Sequence, residues 1–444
     1  MRSLVRLQHS VRKAVILAGG RGERLHSLTF DCPKPMLKIA GKPILEHQID
    51  VMRRHGIKEV IILSGYMGNV IEDYFGNGSE HGIDIRHYLE NKPMGTSGCL
   101  KALENEIDED FLLAYGDVMF DLDLDDLFEY HKEKCAAATL VVHPNDHPYD
   151  SDIVLTDVKS EIVGFLPKSV DRECYPNQIN AAMYVLSPRI FKYISKGVAS
   201  DFVKDVFPRM LNFEKLCGYK TTEYIKDVGT VDRLEKVKSD FANGKIKRLS
   251  KKNKRPAIFL DRDGTLVKEV DLLHRSEDLE LLPFSTPAIK RINESGYLSI
   301  VVTNQPVVAR NLCSLETLKS IHDKFETLLG KNGVYVDEIY FCPHHPDKGY
   351  PEENPLFKIV CDCRKPKTGM IMKAASQYNI DLVSSWMIGD SVIDIQAAIN
   401  AGLRSILLRK NNDDKNQNTS INPDFICDNL EEAVNVILNS RMAI

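Results

Sequence analysis

Two aspartates stand one residue apart in FLDRDGTL, Phe259–Leu266, at the end of an apolar run. In such a pair one carboxylate, Asp261, can attack phosphorus. The other, Asp263, can protonate a leaving oxygen and then activate water. The two point the same way if the strand continues, or flank a tight turn if it stops. Neighbouring carboxylates repel, so a cation is expected between them. Later stretches supply what such a reaction needs. IVVTNQ ends in Thr303 and Asn304, both able to bind a phosphoryl oxygen. RKPKTGM supplies the cation Lys365, and MIGDSVIDIQAA sets Asp390 and Asp394 at another strand end ahead of a helix.

A second constellation lies in AVILAGGRGERL, Ala14–Leu25. A buried strand runs through Leu17 into Gly19, Gly20 and Gly22, where a bare backbone can approach a phosphate chain and its N–H groups can bind anions. Arg24 and then Lys34, in PKPM, add cations able to neutralise charge on a departing pyrophosphate. The spacing is not the G-x-G-x-x-G of dinucleotide-binding folds.

A third set is Cys342-x-His344 followed by Cys361-x-Cys363. Three cysteines and a histidine suit a closed tetrahedral Zn²⁺ site. The spacing is not that of a zinc finger, so spacing alone leaves the metal open. His345 is a rival ligand. The other seven cysteines are scattered and read as small buried side chains.

These residues need elements to carry them. AVILAG, EVIILSG, FLLAYGD and TLVVH read as strands. PILEHQIDVMRRHG and LDDLFEYHKEK read as helices, the first with Pro43 near its start and Gly56 at its close. Near-continuous Val/Ile/Leu strands between helices predict an α/β fold with a mostly parallel sheet covered on both faces. The 444 residues are enough for two or three domains. The pattern pauses at KIKRLSKKNKRP, Lys245–Pro256, which reads as an exposed basic linker, and AIFLDRDGT then starts a new strand. The net charge of −5 argues against a general nucleic-acid binder. The basic start MRSLVRLQHSVR has no apolar run of signal-peptide length, and no stretch approaches a membrane span. The expected setting is a reducing cytoplasm, with thiols rather than disulfides.

LAGGRGERL…PKPM resembles the signature of the sugar-1-phosphate nucleotidyltransferases. ENKPMGTSG, YGD, NAAMYVL and KDVGT follow in the order that family shows. The resemblance implies a Rossmann-like, mixed-sheet, GT-A-like domain over residues 12–244. It implies that Gly19, Gly20, Gly22 and Arg24 hold nucleotide phosphates, that Leu17 belongs to the nucleotide-binding site, and that Lys34 assists at the reacting phosphates. By the same resemblance Asp117 and Asp227 hold Mg²⁺, and Glu90, Gly95 and Asn180 contact sugar or nucleotide. The chain departs from the family at FLPKS, Phe165–Ser169, where Pro167 replaces the usual acid; Lys168 remains as a partner for the sugar phosphate.

The second half resembles the haloacid-dehalogenase (HAD) phosphatases, and CPHHP…CDCRKPKTGM is similar to their heptose-bisphosphate phosphatase branch, with histidinol-phosphatases as relatives. That implies a second Rossmann-like domain over residues 256–440, beyond a linker at 245–255, with a zinc-braced loop on Cys342, His344, Cys361 and Cys363. Asp261 is then the nucleophile and Asp263 the acid/base. Asp261, Asp263 and Asp390 hold Mg²⁺, and Thr303, Asn304 and Lys365 hold the phosphoryl group. Arg364 reaches the substrate, and Arg310 matches the family's arginine. Pro306–Val308 replaces a usual Ser-Gly.

Joined, the resemblances imply a phosphatase whose product feeds a nucleotidyltransferase. The favoured pair is removal of the 7-phosphate from D-glycero-D-manno-heptose 1,7-bisphosphate, then transfer of a nucleotidyl group, favouring GTP as donor and the α-anomer. Partners are thus small sugar phosphates and an NTP, with no nucleic acid and no membrane, and self-association as a homodimer is implied by related transferases. Two other readings stay open: a hexose pathway such as mannose 1-phosphate beside a histidinol-phosphatase-like domain, and an inactive regulatory protein.

Overall fold

The computed structural model describes residues 11–170, 172–347, 353–409 and 421–441. The chain divides into two compact units. One takes residues up to His143, Asp152–Ser169 and Gln178–Ser250. The other takes Pro144–Ser151, Val170–Asn177 and the chain from Lys251 on.

The first unit is built on a nine-stranded mixed sheet. Its centre is β1 (Lys13–Ala18), which pairs in parallel with β2 (Glu59–Ser64) on one side and β4 (Phe111–Tyr115) on the other. β3 (Asp84–Leu89) extends the sheet beyond β2. Side chains alternate across a strand. Ala14, Ile16 and Ala18 therefore join one apolar core and Val15 the other, so the central strand is apolar on both faces after Lys13. Helix α1 (Ile44–Arg54) starts after Pro43 and is followed by Gly56 at φ 83°. The segment β5 (Val118–Asp121), α2 (Leu124–Lys134) and β6 (Ala138–His143) follows. β7 (Ile179–Leu186) runs antiparallel to β4 and β6, so the sheet is mixed rather than mostly parallel. β8 (Tyr224–Asp227) pairs antiparallel with β5, aligning Asp227 with Val118.

The stretch expected to be an exposed linker is partly built into this unit. Lys245–Arg248 forms a helical turn with Ile246 buried, and the units divide after it, at Ser250. One apolar side chain among the lysines suffices to seat the turn.

The second unit is a six-stranded, wholly parallel sheet. Its strands are β9 (Ala257–Leu260), β10 (Leu298–Asn304), β11 (Glu338–Cys342), β12 (Trp386–Gly389), β13 (Arg404–Leu408) and β14 (Phe425–Cys427). The spatial order is β11-β10-β9-β12-β13-β14. Ile258 and Leu260 face one core while Ala257 and Phe259 face the other. Parallel strands put their C-terminal ends on one edge, where ligands of such sheets bind. β10 ends there at Asn304, and Asp261 and Asp390 directly follow β9 and β12.

The scattered cysteines need a correction. Cys99, Cys217 and Cys427 are buried, Cys32 and Cys313 are half-buried, and Cys135 and Cys174 are exposed. Cys135 is exposed because it caps α2 with φ 52°, a turn position rather than a core one.

Candidate active sites

In the first unit, β1 delivers Leu17 to the rim of a cavity of about 840 Å³. Gly19, Gly20, Gly22 and Arg24 line it from the loop after β1, and Lys34, Glu90, Gly95 and Asp117 line it from later segments. Lys34 Nζ is in direct contact with Asp117 Oδ2. Asp227 stands on the strand beside β5, and the next amide, Val228 N–H, donates to Asp117 O at 2.8 Å. Asp227 is ion-paired with Arg233 at 2.7 Å. Both carboxylates therefore sit against cations in this structure.

Glu90 follows β3. Burial raises its carboxyl pKa, and the Met94 N–H donates to Oε1 at 3.0 Å, partly offsetting that. A side chain at residue 19 would bring its Cβ to 2.8 Å from Glu90 Oε2. A larger residue at 19 would thus have to push this carboxylate aside.

Asn180 and Lys168 are not among the residues lining this cavity. Asn180 donates to Tyr184 Oη at 3.0 Å and accepts from Ala182 N–H at 3.2 Å, holding an irregularity in β7. Lys168 is exposed. Sequence reasoning missed Arg21, Tyr66, Lys92, Thr96 and Tyr115, which also line the cavity. Arg21, Lys92 and Thr96 lie inside motifs already singled out, so their signal was present. Tyr66 lies outside every motif.

In the second unit the chain turns sharply after β9. Arg262 O accepts from Leu266 N–H at 2.8 Å and Val267 N–H at 2.9 Å, so the two aspartates flank a turn. Lys365 is 3% exposed and bridges Asp261 at 2.8 Å and Asp394 at 2.6 Å. Burial opposes its charge, but these two carboxylates hold its pKa up. Burial pushes Asp261 up to about 7 despite Lys365. Asp394 is itself fixed by Ser391 Oγ at 2.6 Å, within the capping box of the helix Val392–Ala401.

Asp261, Asp390 and Asp394 offer carboxylate oxygens all within 4.8 Å of one another. Asp263, expected among the metal ligands, lies outside this group; Arg262 and Gln305 hold its carboxylate instead. Gly264 has φ 77°, and a Cβ there would stand 2.1 Å from Asp390 Oδ2, so only glycine leaves room for that carboxylate.

Thr303 is buried at the end of β10. Asn304 exchanges two hydrogen bonds with the backbone of Lys365: its Nδ2 donates to Lys365 O at 3.1 Å, and Lys365 N–H donates to its Oδ1 at 3.0 Å. Expected to meet phosphate, Asn304 here clamps the lysine. Val307 and Val308 are buried in a small apolar cluster with Leu318, which gives the unusual residues after TNQ a packing role. Arg310 is half-buried in the same loop, and Arg364 donates to His344 O at 3.2 Å.

Cys342, His344, Cys361 and Cys363 converge. Cys342 Sγ lies 3.5 Å from Cys361 Sγ, 3.1 Å from Cys363 Sγ and 3.7 Å from His344 Nδ1. His344 Nδ1 is 3.2 Å from Cys363 Sγ. Tetrahedral zinc with bonds of about 2.0–2.3 Å spaces its ligands roughly 3.5–3.8 Å apart, so the donors fit that ion with small adjustments. Burial lowers the His344 pKa, favouring the neutral ring a metal needs. His345 is buried and turns its Nδ1 to the Asp347 N–H at 3.2 Å, outside the converging set. Of the loop between His344 and Cys361 that the zinc was expected to brace, residues 348–352 lie outside the described residues.

The two sites match two known families. Residues 13–244 match the nucleotidyl transferase family, and residues 362–433 match a HAD-hydrolase-like family. The chain belongs to the nucleotidyl transferase family through its first half and to the HAD-like phosphatases through its second. One relative is the D-glycero-alpha-D-manno-heptose 1-phosphate guanylyltransferase of Aneurinibacillus thermoaerophilus, 32% identical over 229 residues, covering 51% of this chain and 97% of the relative. Another is the D-glycero-D-manno-heptose-1,7-bisphosphate 7-phosphatase of Thermosynechococcus vestitus, 37% identical over 191 residues, covering 40% of this chain and 94% of the relative. A mannose-1-phosphate guanylyltransferase of Mycobacterium tuberculosis is 34% identical over 234 residues; the match spans 52% of this chain but only 65% of that protein.

Proposed function

We propose that this chain performs two successive steps of nucleotide-sugar synthesis. The second unit removes the 7-phosphate of D-glycero-D-manno-heptose 1,7-bisphosphate. The first unit then joins the heptose 1-phosphate to GMP from GTP, releasing pyrophosphate and GDP-heptose. The observation that carries this reading is the pairing itself. One half is similar over nearly its relative's whole length to a heptose bisphosphate 7-phosphatase, the other to a heptose 1-phosphate guanylyltransferase. The product of one is the substrate of the other if the anomeric phosphate is spared.

In the phosphatase step an Asp261 oxygen attacks phosphorus, and the P–O bond to the sugar breaks. Asp263 gives its proton to the departing oxygen and later takes one from the water that hydrolyses the aspartyl-phosphate. Lys365 and Thr303 hold the phosphoryl oxygens, and Arg310 and Arg364 reach toward the substrate. Asp261, Asp390 and Asp394 form an all-oxygen cluster of the kind Mg²⁺ takes. When bound there, the ion neutralises phosphoryl charge and keeps Asp261 ionised.

In the transfer step an oxygen of the sugar 1-phosphate attacks the α-phosphorus of the nucleotide, and the bond to pyrophosphate breaks. The glycine loop and Arg24 hold the phosphates, Lys34 steadies the reacting ones, and Asp117 and Asp227 would hold Mg²⁺. Such displacements depend on positioning and electrostatics. Asn180 and Lys168 stay on the sugar side by resemblance alone.

Glu90 supports guanine. An ionised carboxylate only accepts hydrogen bonds. The pairing edge of guanine offers an N1–H and an amino group side by side, whereas uracil and thymine set one N–H between two carbonyls. The test incubates the bisphosphate with each NTP in turn and identifies the nucleotide sugar formed. GDP-heptose is expected. Glu90→Gln should lower kcat/KM for GTP by about 10–100-fold, the loss of a charged hydrogen bond, and narrow the gap to UTP. Formation of GDP-mannose from mannose 1-phosphate, with no turnover of the heptose substrate, would favour the hexose pathway instead.

Zinc on Cys342, His344, Cys361 and Cys363 is structural in this reading, because four protein ligands leave no position for water. It braces the segment that presents Arg364 and Lys365. A zinc-selective chelator, with Mg²⁺ held in excess, should raise KM for the phosphatase step and leave pyrophosphate release from supplied heptose 1-phosphate unchanged. The thiols this site needs suit a reducing cytoplasm, and no helix among the described residues is long and apolar enough to cross a membrane. Assembly as a homodimer is the reading drawn from related transferases.

A further inference from the structure

Asp263 is gripped more firmly than a loop carboxylate needs. Its side chain is 26% exposed, so water could solvate it, yet Arg262 beside it is fully buried. Arg262 Nη2 donates to Asp263 Oδ1 at 2.9 Å and to Oδ2 at 3.0 Å, and Nε donates to Oδ1 at 3.2 Å. Among the described residues Asp263 is the only ion-pair partner of this arginine, and Nη1 meets no acceptor. A buried guanidinium with one unsatisfied nitrogen is a poor device for stability.

Gln305 closes the other side. It is 2% exposed, its backbone N–H is fixed to Cys342 O at 2.8 Å, and its Nε2 donates to Asp263 Oδ2 at 2.7 Å. The second hydrogen of the same nitrogen goes to Thr303 Oγ1 at 2.9 Å. A carboxylate only accepts, so this partner fixes which way the amide faces. One amide thus ties the proton-carrying aspartate to the threonine assigned to the phosphoryl group.

We propose that Arg262 and Gln305 are positioning residues that aim the Asp263 carboxyl at the leaving oxygen of the phosphate ester. This rests on Asp263 serving as acid and base. In the first step an Asp261 oxygen bonds to phosphorus, the ester P–O electron pair moves to the leaving oxygen, and that oxygen takes the Asp263 proton. In the second step water attacks the aspartyl-phosphate, Asp263 takes a proton from it, and the bond to Asp261 breaks to release phosphate. A misaimed Asp263 therefore harms the first step only when the leaving group needs a proton. It harms the second step whatever the ester was.

The test compares a sugar primary phosphate, whose alkoxide leaves poorly, with 4-nitrophenyl phosphate, whose phenolate leaves unaided. The variants are Gln305→Met, which keeps size but removes the donor, Arg262→Lys, and Asp263→Asn as reference. kcat/KM reports the first step, because departure of the alcohol is irreversible. General acid catalysis is worth about 10²–10⁴-fold, and Asp263→Asn should lose that factor on the sugar phosphate and little of it on the aryl ester. Gln305→Met should lose about 10-fold in kcat/KM on the sugar phosphate and less than about 2-fold on the aryl ester, while kcat falls for both. Arg262→Lys, which keeps the charge but not the fork, should lie between Gln305→Met and Asp263→Asn. Equal kcat/KM losses on both esters, or none, in folded Gln305→Met would overturn the proposal; if that variant fails to fold, Arg262→Lys decides by the same comparison. An Asp263→Asn variant with no leaving-group bias would remove the acid role itself, and the proposal with it.

Discussion

Asp261→Asn should eliminate phosphate release from the bisphosphate, by roughly four orders of magnitude or more, as expected for loss of a nucleophile. Transfer onto supplied heptose 1-phosphate should be unaffected. The substitution suits a clean test because the site keeps its shape. Lys365 still has Asp394 at 2.6 Å, so its ammonium is not left unpaired. Burial already disfavours the charge on Asp261, so a neutral amide relieves that penalty. Thermal stability should hold or rise slightly, separating lost chemistry from lost folding. Phosphate release and pyrophosphate release, measured on one preparation, check both halves of the expectation.

Asp117→Ala should do the reverse. Pyrophosphate release should fall by about 10²–10³-fold, the scale of losing one electrostatic anchor, while the phosphatase step continues. The variant also strips Lys34 of the carboxylate it contacts. Affinity for the nucleotide should therefore fall less than turnover, since a freed lysine can still meet phosphate. A result in which either substitution ends both activities, with both units folded, would refute two independent sites.

Much of this was legible in the chain because the chemistry sits where strands end. Asp261, Asn304 and Asp117 each border a strand with a clear apolar run, Asp227 ends the short strand YIKD and was found through its KDVGT motif, and the glycine loop follows the apolar run AVILA. Side-chain partners were not legible. Asn304 and Gln305 are adjacent in TNQ, yet one clamps the Lys365 backbone and the other holds Asp263. Nothing local distinguishes two neighbouring amides; the distinction comes from alternation at the end of β10 and from segments about 40 and 60 residues away. The mixed sheet was implied by the family resemblance but not by the strand pattern, which pointed to a mostly parallel one, for a similar reason. β7 reads as one more apolar strand, and its antiparallel direction depends on pairing with β4 and β6.

Lys365 sits two residues beyond Cys363, and its own peptide groups are held by Asn304. A lysine side chain ordinarily carries about 2 kcal/mol of rotamer entropy, which is lost whenever it grips a ligand. Here the backbone is pinned from both directions and the ammonium already rests between two carboxylates. That disorder is given up when the protein folds, before any substrate arrives. In the proposed phosphatase step, an incoming phosphoryl group would therefore meet a cation already in place, leaving more of its binding energy to favour the transition state.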